Sequence, residues 1–441
     1  MNLVSFSIKT KGLHNFVRRL ATVFARFGLS ERQTRQALYT IIETLEPYAA
    51  IPTFFIPAVV LDRHPGLLAE IAGARAEIGM HGYVHNDYRT LSHAEQYKQT
   101  EKAISVFEER QIPFQGFRNP YLGWTEASLS VFTQLGFRYD SNDAVLHDVV
   151  DLDAFSPLLR SGYEKSFELF QAIERTAYTL RPYFVGKLLR IPTSIPDDEM
   201  LFDRLRITNT REIGRIWSSI MERVYDLGGI YVLNLHPERG VLCQFALRAL
   251  LASTLDVALP IWVTNLMNVA QWWKERTQFR LNITPLAPDH WQVEASCSRA
   301  TLLARHIVIE DAPTILWHGA DVQVLSERFS VHAAQCPCIG LSYQTSEELE
   351  DFLCEQGYPF VRCSEVDAQR YACYLDMPEG LGKTRKEQIR SKSELLSQLM
   401  ELEAPLVYYG CWPNGCRSAL SITGDIDSVT IQDFFRRVVE V

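Results

Sequence analysis

Along the first 277 residues, short apolar runs alternate with longer stretches of helical period. Residues 3–8 read as a strand ending before Gly12, followed by a helix whose Phe16, Leu20, Val23 and Phe24 share one face up to Gly28. Ser30 and Gln33 have capping-box spacing and open a second helix that should run to about Pro47. Further strands are expected at residues 51–56, 77–80, 137–140, 188–191 and 230–235, and a strand-like run ends at Phe117. Helices open at Pro65, at the Ser92/Glu95 capping box and after Thr125, and the last spans residues 266–276. Such alternation predicts a mainly parallel sheet closed into a (β/α) barrel, with its chemistry on the loops that follow the strands' C-terminal ends.

The pattern changes after residue 277. Residues 278–337 carry short strands and few helices, and predict a small β-rich domain. Residues 338–410 read as an α/β segment and linker: a helix opens near Ser346 and stops at Gly357, and a strand follows at Tyr358. Gly382-Lys383-Thr384 lacks the upstream glycine of a phosphate loop and reads as a helix start. In residues 411–441 a buried strand, 419–423, leads into Asp425 and Asp427. This stretch echoes the N-terminus, since Phe434-Phe-Arg-Arg-Val parallels Phe16-Val-Arg-Arg-Leu. The two read as related strand and helix units, of which only the C-terminal one carries acids. The C-terminal strand is therefore expected to join the barrel beside the N-terminal one.

With 47% hydrophobic and 22% charged residues in 441, the chain has a composition suited to more than one globular domain. A net charge of −9 gives no basic surface for nucleic acid or an anionic membrane. No membrane span and no secretory leader is expected, and the nine cysteines, all from Cys243 onward, fit reduced thiols, so the chain reads as cytoplasmic. Cys336, Cys338, Cys411 and Cys416 match no common zinc spacing and are read as small buried thiols. Trp272 and Trp273 are read as packing residues.

Candidate chemistry centres on residues 77–91, where the strand before His81 runs into a loop holding His81 and His85. Two histidines four apart on one turn can aim two imidazole nitrogens at one cation, and a carboxylate would complete the open three-ligand set of a catalytic zinc. Downstream lie Arg118-Asn-Pro-Tyr121, Asp140, and Leu235-His236-Pro237. Together these resemble, in order and character, the motifs of the polysaccharide deacetylase (NodB-homology) family over roughly residues 1–277. The resemblance implies a distorted NodB-type barrel, here with an additional smaller β-rich or α+β domain. It also implies a hydrolase that removes N-acetyl groups from an amino-sugar polysaccharide or its precursor, with a divalent metal such as zinc. The family's first strand ends in two acids, whereas Ser7, Ile8 and Lys9 stand there in this chain, and Asp425 and Asp427 look like the displaced motif.

The resemblance assigns His81, His85 and Asp427 to the metal and Asp425 to the base that deprotonates water. It makes His236 the acid for the leaving amine and Asp140 the carboxylate that orients it. Arg118 would hold the base ionised, and the amide near Tyr121 would face the oxyanion. Asp87 reads first as a loop-structuring residue and second as a substitute ligand. Asp197 and Asp198 either line the site or sit on a solvated turn. The alternatives are acids that serve only to cap the last helix on a catalytically silent glycan- or partner-binding barrel, and a relative acting on small-molecule amides.

Overall fold

Parallel strands covered on both faces read as continuous apolar runs, and those of this chain are buried end to end: Thr53–Ile56, Glu77–Met80, Ile230–Leu235 and Ser418–Asp425. The computed structural model describes residues 26–297 and 299–440. The expected N-terminal strand with Ser7, Ile8 and Lys9, and the helix carrying Phe16 to Phe24, lie outside the described residues.

Ser418–Asp425 stands between Ile230–Leu235 and Thr53–Ile56, parallel to both. From Thr53–Ile56 the sheet continues through Glu77–Met80, Gly116–Phe117, Tyr139–Asp140 and Leu188–Arg190. The last two strands bend and resume as Ala144–Leu146 and Thr193–Ile195, which pair with each other, and the latter returns to Ile230–Leu235. Two bent strands thus curl the sheet round into a distorted α/β barrel. Helices Arg32–Leu45, Thr210–Asp226 and Gly240–Ser253 pack together outside it. Capping boxes form at Ser92/Glu95, Thr125/Ser128 and Thr384/Glu387. The expected box at Ser30 and Gln33 does not form. The helix starts at Arg32 after an uncapped Glu31, whose carboxylate is occupied by His64 at 2.8 Å and Arg35 at 3.1 Å.

The additional region holds two four-stranded sheets and a three-stranded one. Val293, Phe329 and Val331 of one sheet pack on Leu302, Ala304 and Val407 of another. Leu406–Pro413 pairs with Ala300–Arg305, so a strand of the β-rich region crosses the expected 410/411 boundary before the chain returns to the barrel. Trp272 and Trp273 are fully buried at this junction, with Trp412 5.5 Å from Trp273. Cys411 and Cys416 are buried nearby, and the Sγ atoms of Cys336 and Cys338 lie 3.4 Å apart. No helix among the described residues is long and apolar enough to cross a membrane.

Candidate metal centre

Parallel register decides which side chains meet. Asp425 stands level with Phe55, Ile56 with Met80, and Met80 with Phe117, so the residues that follow these strands emerge on one rim. On that rim Asp427 Oδ1 lies 3.4 Å from His81 Nε2 and 3.3 Å from His85 Nε2. A tetrahedral ion with bonds of about 2.0–2.1 Å sets its ligand atoms roughly 3.3 Å apart, so these three side chains have the spacing of a metal's ligands.

Local structure fixes each of them. His81 Nδ1–H donates to the Arg118 carbonyl at 2.7 Å, which leaves the Nε2 lone pair facing the cluster. Gly82 turns the loop at φ +86°, where a Cβ would crowd the Val84 carbonyl and the Tyr88 ring. Burial pushes His85 down to about 3, so its imidazole is neutral and can serve as a ligand. Burial also opposes ionisation of Asp427, but Arg437 and the two histidines outweigh it and hold the carboxyl well below its ordinary range. Arg437 Nη1 donates to Asp427 Oδ2 at 2.5 Å, whereas Oδ1 is buried with no hydrogen-bond donor. A buried carboxylate oxygen left open between two imidazole nitrogens fits a divalent cation.

Helix capping does not account for Asp427. The last helix, Ile431–Glu440, is capped by Thr430 and Asp433, whose side chains bond each other's backbone amides at 3.0 and 3.3 Å. Asp87 is bonded through both oxygens to Arg89 and caps the turn Tyr88–Thr90. It stands apart from the cluster of His81, His85 and Asp427.

Asp425 accepts from Arg118 Nη1 at 3.1 Å and from Asn234 Nδ2 at 2.9 Å. Arg118 is fully buried, and its other donors go to Ser141, Thr193, Thr423 and Asn234. On the opposite wall His236 Nδ1 donates to Asp198 Oδ1 at 2.6 Å, and the His236 amide donates to Asp198 Oδ2 at 2.8 Å. Burial works against charge on His236, yet the Asp198 carboxylate prevails and raises the imidazole well above its ordinary value. Asp197 caps the turn at Met200, and burial beside Asp198 pushes it up to about 7.

The expected pairing of Asp140 with His236 is incorrect. The strand does not end at Asp140 but bends and resumes at Ala144, which leaves Asp140 fully buried with Arg190 at 2.9 Å instead of at the rim. Asp198, on the loop after Thr193–Ile195, takes that place. Position after a strand end was the only sequence signal for Asp198. Arg437 and Asn234 had none. Tyr121 sits on a turn with positive φ at both Tyr121 and Leu122, its ring edge-on to His85 at 4.8 Å. The cleft bounded by these residues has a volume of about 120 Å³, with Leu122, Leu169 and Phe170 as its apolar wall. A cleft of about 850 Å³ between the barrel and the additional region contains none of them.

The polysaccharide deacetylase family model matches residues 32–139, the stretch that carries His81, His85, Arg118 and Tyr121. Over this stretch the chain is similar to the polysaccharide deacetylase family. Over 122 residues, 26% of its length, the chain is 32% identical to the peptidoglycan deacetylase-like protein FGM2 of Gibberella zeae, and it spans about a third (34%) of that relative. A solved structure described as a polysaccharide deacetylase of Mycobacterium smegmatis aligns at 21% identity and TM-score 0.40, over 54% of this chain and 76% of the other. Another, from Pseudomonas aeruginosa PAO1, aligns at 17% identity and TM-score 0.42, over 54% and 72%. The family match ends at residue 139, so the acids at 425 and 427 reach the deacetylase motifs through the barrel's closure.

Proposed function

We propose that the chain is a metal-dependent hydrolase that removes an N-acetyl group from an amino sugar in a polysaccharide or its precursor. The observation that carries this reading is the open Oδ1 of Asp427, held between His81 Nε2 and His85 Nε2 at 3.3–3.4 Å within a deacetylase family domain. His81, His85 and Asp427 would hold a divalent ion of the kind accepted by imidazole and carboxylate, for which zinc is the first candidate. When bound, such an ion supplies Lewis-acid activation of a water and of the amide carbonyl.

The side chains supply the rest. Asp425, paired with Arg118 at 3.1 Å, takes the proton of the attacking water. His236, kept protonated by Asp198, delivers a proton to the leaving amine. The Tyr121 turn is assigned the oxyanion, a donor there contributing about 3–4 kcal/mol. The C-terminal position of the two acids is read as a circular permutation, supported by Ser418–Asp425 lying between Thr53–Ile56 and Ile230–Leu235. A cytoplasmic setting belongs to the same proposal, its support being cysteines of which none is bonded to another.

The test exploits the different surroundings of the two acids. Asp427→Ala should lower metal affinity more than about 100-fold, since even partners behind a ligand change affinity 10- to 100-fold. Asp425→Asn should keep the metal and lose deacetylation of N-acetylglucosamine oligomers. Metal content by mass spectrometry and acetate release separate the two, and equal metal content in both variants would remove Asp427 from the ligand set.

A second reading, hydrolysis of a small-molecule amide, is favoured by the cleft of about 120 Å³ walled by Leu169 and Phe170. Rates on N-acetylglucosamine and simple acetamides against those on its oligomers discriminate the two.

A further inference from the structure

The additional region holds a second group of two histidines and a carboxylate, remote in sequence from the barrel motifs. His290 and His332 stand directly opposite each other on antiparallel strands His290–Ser296 and Arg328–His332. Val308–Ile309 pairs with the other edge of Arg328–His332, and Glu310 follows it. His332 Nε2 lies 3.0 Å from Glu310 Oε1, and His290 Nε2 lies 3.5 Å from Glu310 Oε2.

Two neighbouring strands and the bend after a third therefore deliver one donor atom each, all within 4.8 Å of one another. His290 Nε2 is buried and has no hydrogen-bond partner. The carboxylate offers both oxygens, and His290 and His332 are each fixed within a paired strand. The imidazole rings stack with centroids 4.4 Å apart and planes 14° apart. Lone pairs of stacked rings run side by side, so ligation by both requires one ring to turn about χ2. His332, with 47% of its side chain exposed, has the space to turn.

We propose that His290, Glu310 and His332 form a second divalent-metal site, selective for an ion of zinc type, that ties the three strands together. Two neutral imidazoles and one carboxylate suit Zn²⁺ and exclude the all-oxygen preference of Mg²⁺ and Ca²⁺. Water would fill the remaining position on the solvent side. Ligation consolidates the edge of a sheet that is otherwise held by the two-residue strand Val308–Ile309. The site stands independently of the activity proposed for the barrel.

The full chain dialysed against buffered free Zn²⁺ should retain two equivalents. His332→Ala and Glu310→Gln should each leave one, as should the double exchange of His81 and His85 for Ala, while joining both sets leaves none. Co²⁺ substitution provides a readout apart from stoichiometry, since loss of the sheet site removes one set of d–d bands. Circular dichroism of each variant checks that it is folded, and Glu310→Gln, nearly isosteric and on the surface, keeps the test available if a histidine exchange disturbs the sheet. A wild-type chain whose bound Zn²⁺ is lost entirely on exchange of His81 and His85, or an equivalent that persists in that double variant after His290 and His332 are also removed, overturns the proposal.

Discussion

Among the described residues, two groups of the same composition, two histidines and one carboxylate, occur in opposite settings. His81, His85 and Asp427 are gathered at the rim of a parallel barrel, their rings 62° apart and an open carboxylate oxygen between them. His290, Glu310 and His332 lie on a sheet surface, with the rings stacked and the carboxylate 45% exposed. Burial explains the difference. In the barrel, a carboxylate oxygen without a donor costs about 1–3 kcal/mol, which a cation would relieve, and the ring of His81 is already oriented by the Arg118 carbonyl. On the sheet, water already serves the carboxylate, and binding must first unstack a ring. The barrel group should therefore bind Zn²⁺ at least about 10-fold more tightly, for the same donor set.

The largest break in this comparison is removal of residues 418–441. Ser418–Asp425 is buried along its whole length between two barrel strands, so its loss should abolish the cooperative unfolding transition of the barrel, and not only its metal. With domain stabilities of about 5–15 kcal/mol, loss of a central strand exceeds the margin. A truncated chain that melts like the full one would show that the strand is dispensable.

A sharper cut leaves the fold intact. His236→Ala should retain metal in both groups and lower deacetylation by about 100-fold or more. Asp198→Asn should preserve the fold of the dyad while moving the alkaline limb of kcat/KM to lower pH. The sign follows from the charge: Asp198 raises the His236 pKa, and the acid is lost as pH climbs through it, so without the carboxylate that loss comes earlier. An unmoved limb would separate Asp198 from the acid.

The smallest effect concerns the outer support that only the barrel group has. His64 bridges Glu31 at 2.8 Å and Asp433 at 2.7 Å, and so fastens the helix whose Arg437 holds Asp427. Burial opposes charge on His64, but the two carboxylates raise its pKa. Its contribution is fully present below the unfolded value near about 6.5 and is lost as pH rises through the folded one. His64→Ala should cost about 1 kcal/mol or less at pH 6 and less at pH 9, measured by thermal melts at the two values. An equal cost at both would mean that packing, and not charge, is what His64 contributes.

Short-range pattern was enough to place the barrel strands and most of the rim residues. A parallel strand buried on both faces must be an apolar run, and the residue after it must emerge at the rim, so the pattern placed His81, Arg118, His236 and Asp425 at strand ends while the family resemblance supplied their roles. The same rule failed at Asp140, because a bend that continues a strand leaves no mark in hydrophobicity, and the side chain stayed inside on Arg190. It could not choose Asp198 for His236, since that choice depends on where the loop after Thr193–Ile195 lies against the next strand. Arg437 reaches Asp427 from one helical face ten residues on. His290 and His332 lie on two strands and Glu310 just after a third, and only antiparallel pairing makes them neighbours. The sequence by itself determined which residues are apolar, which elements they form and which donors follow a strand end, because those are local properties of the chain. The tertiary structure alone decided which donors share a site, because strand order and register are set by how the buried faces pack, and contacts between distant residues exist only once that packing is complete.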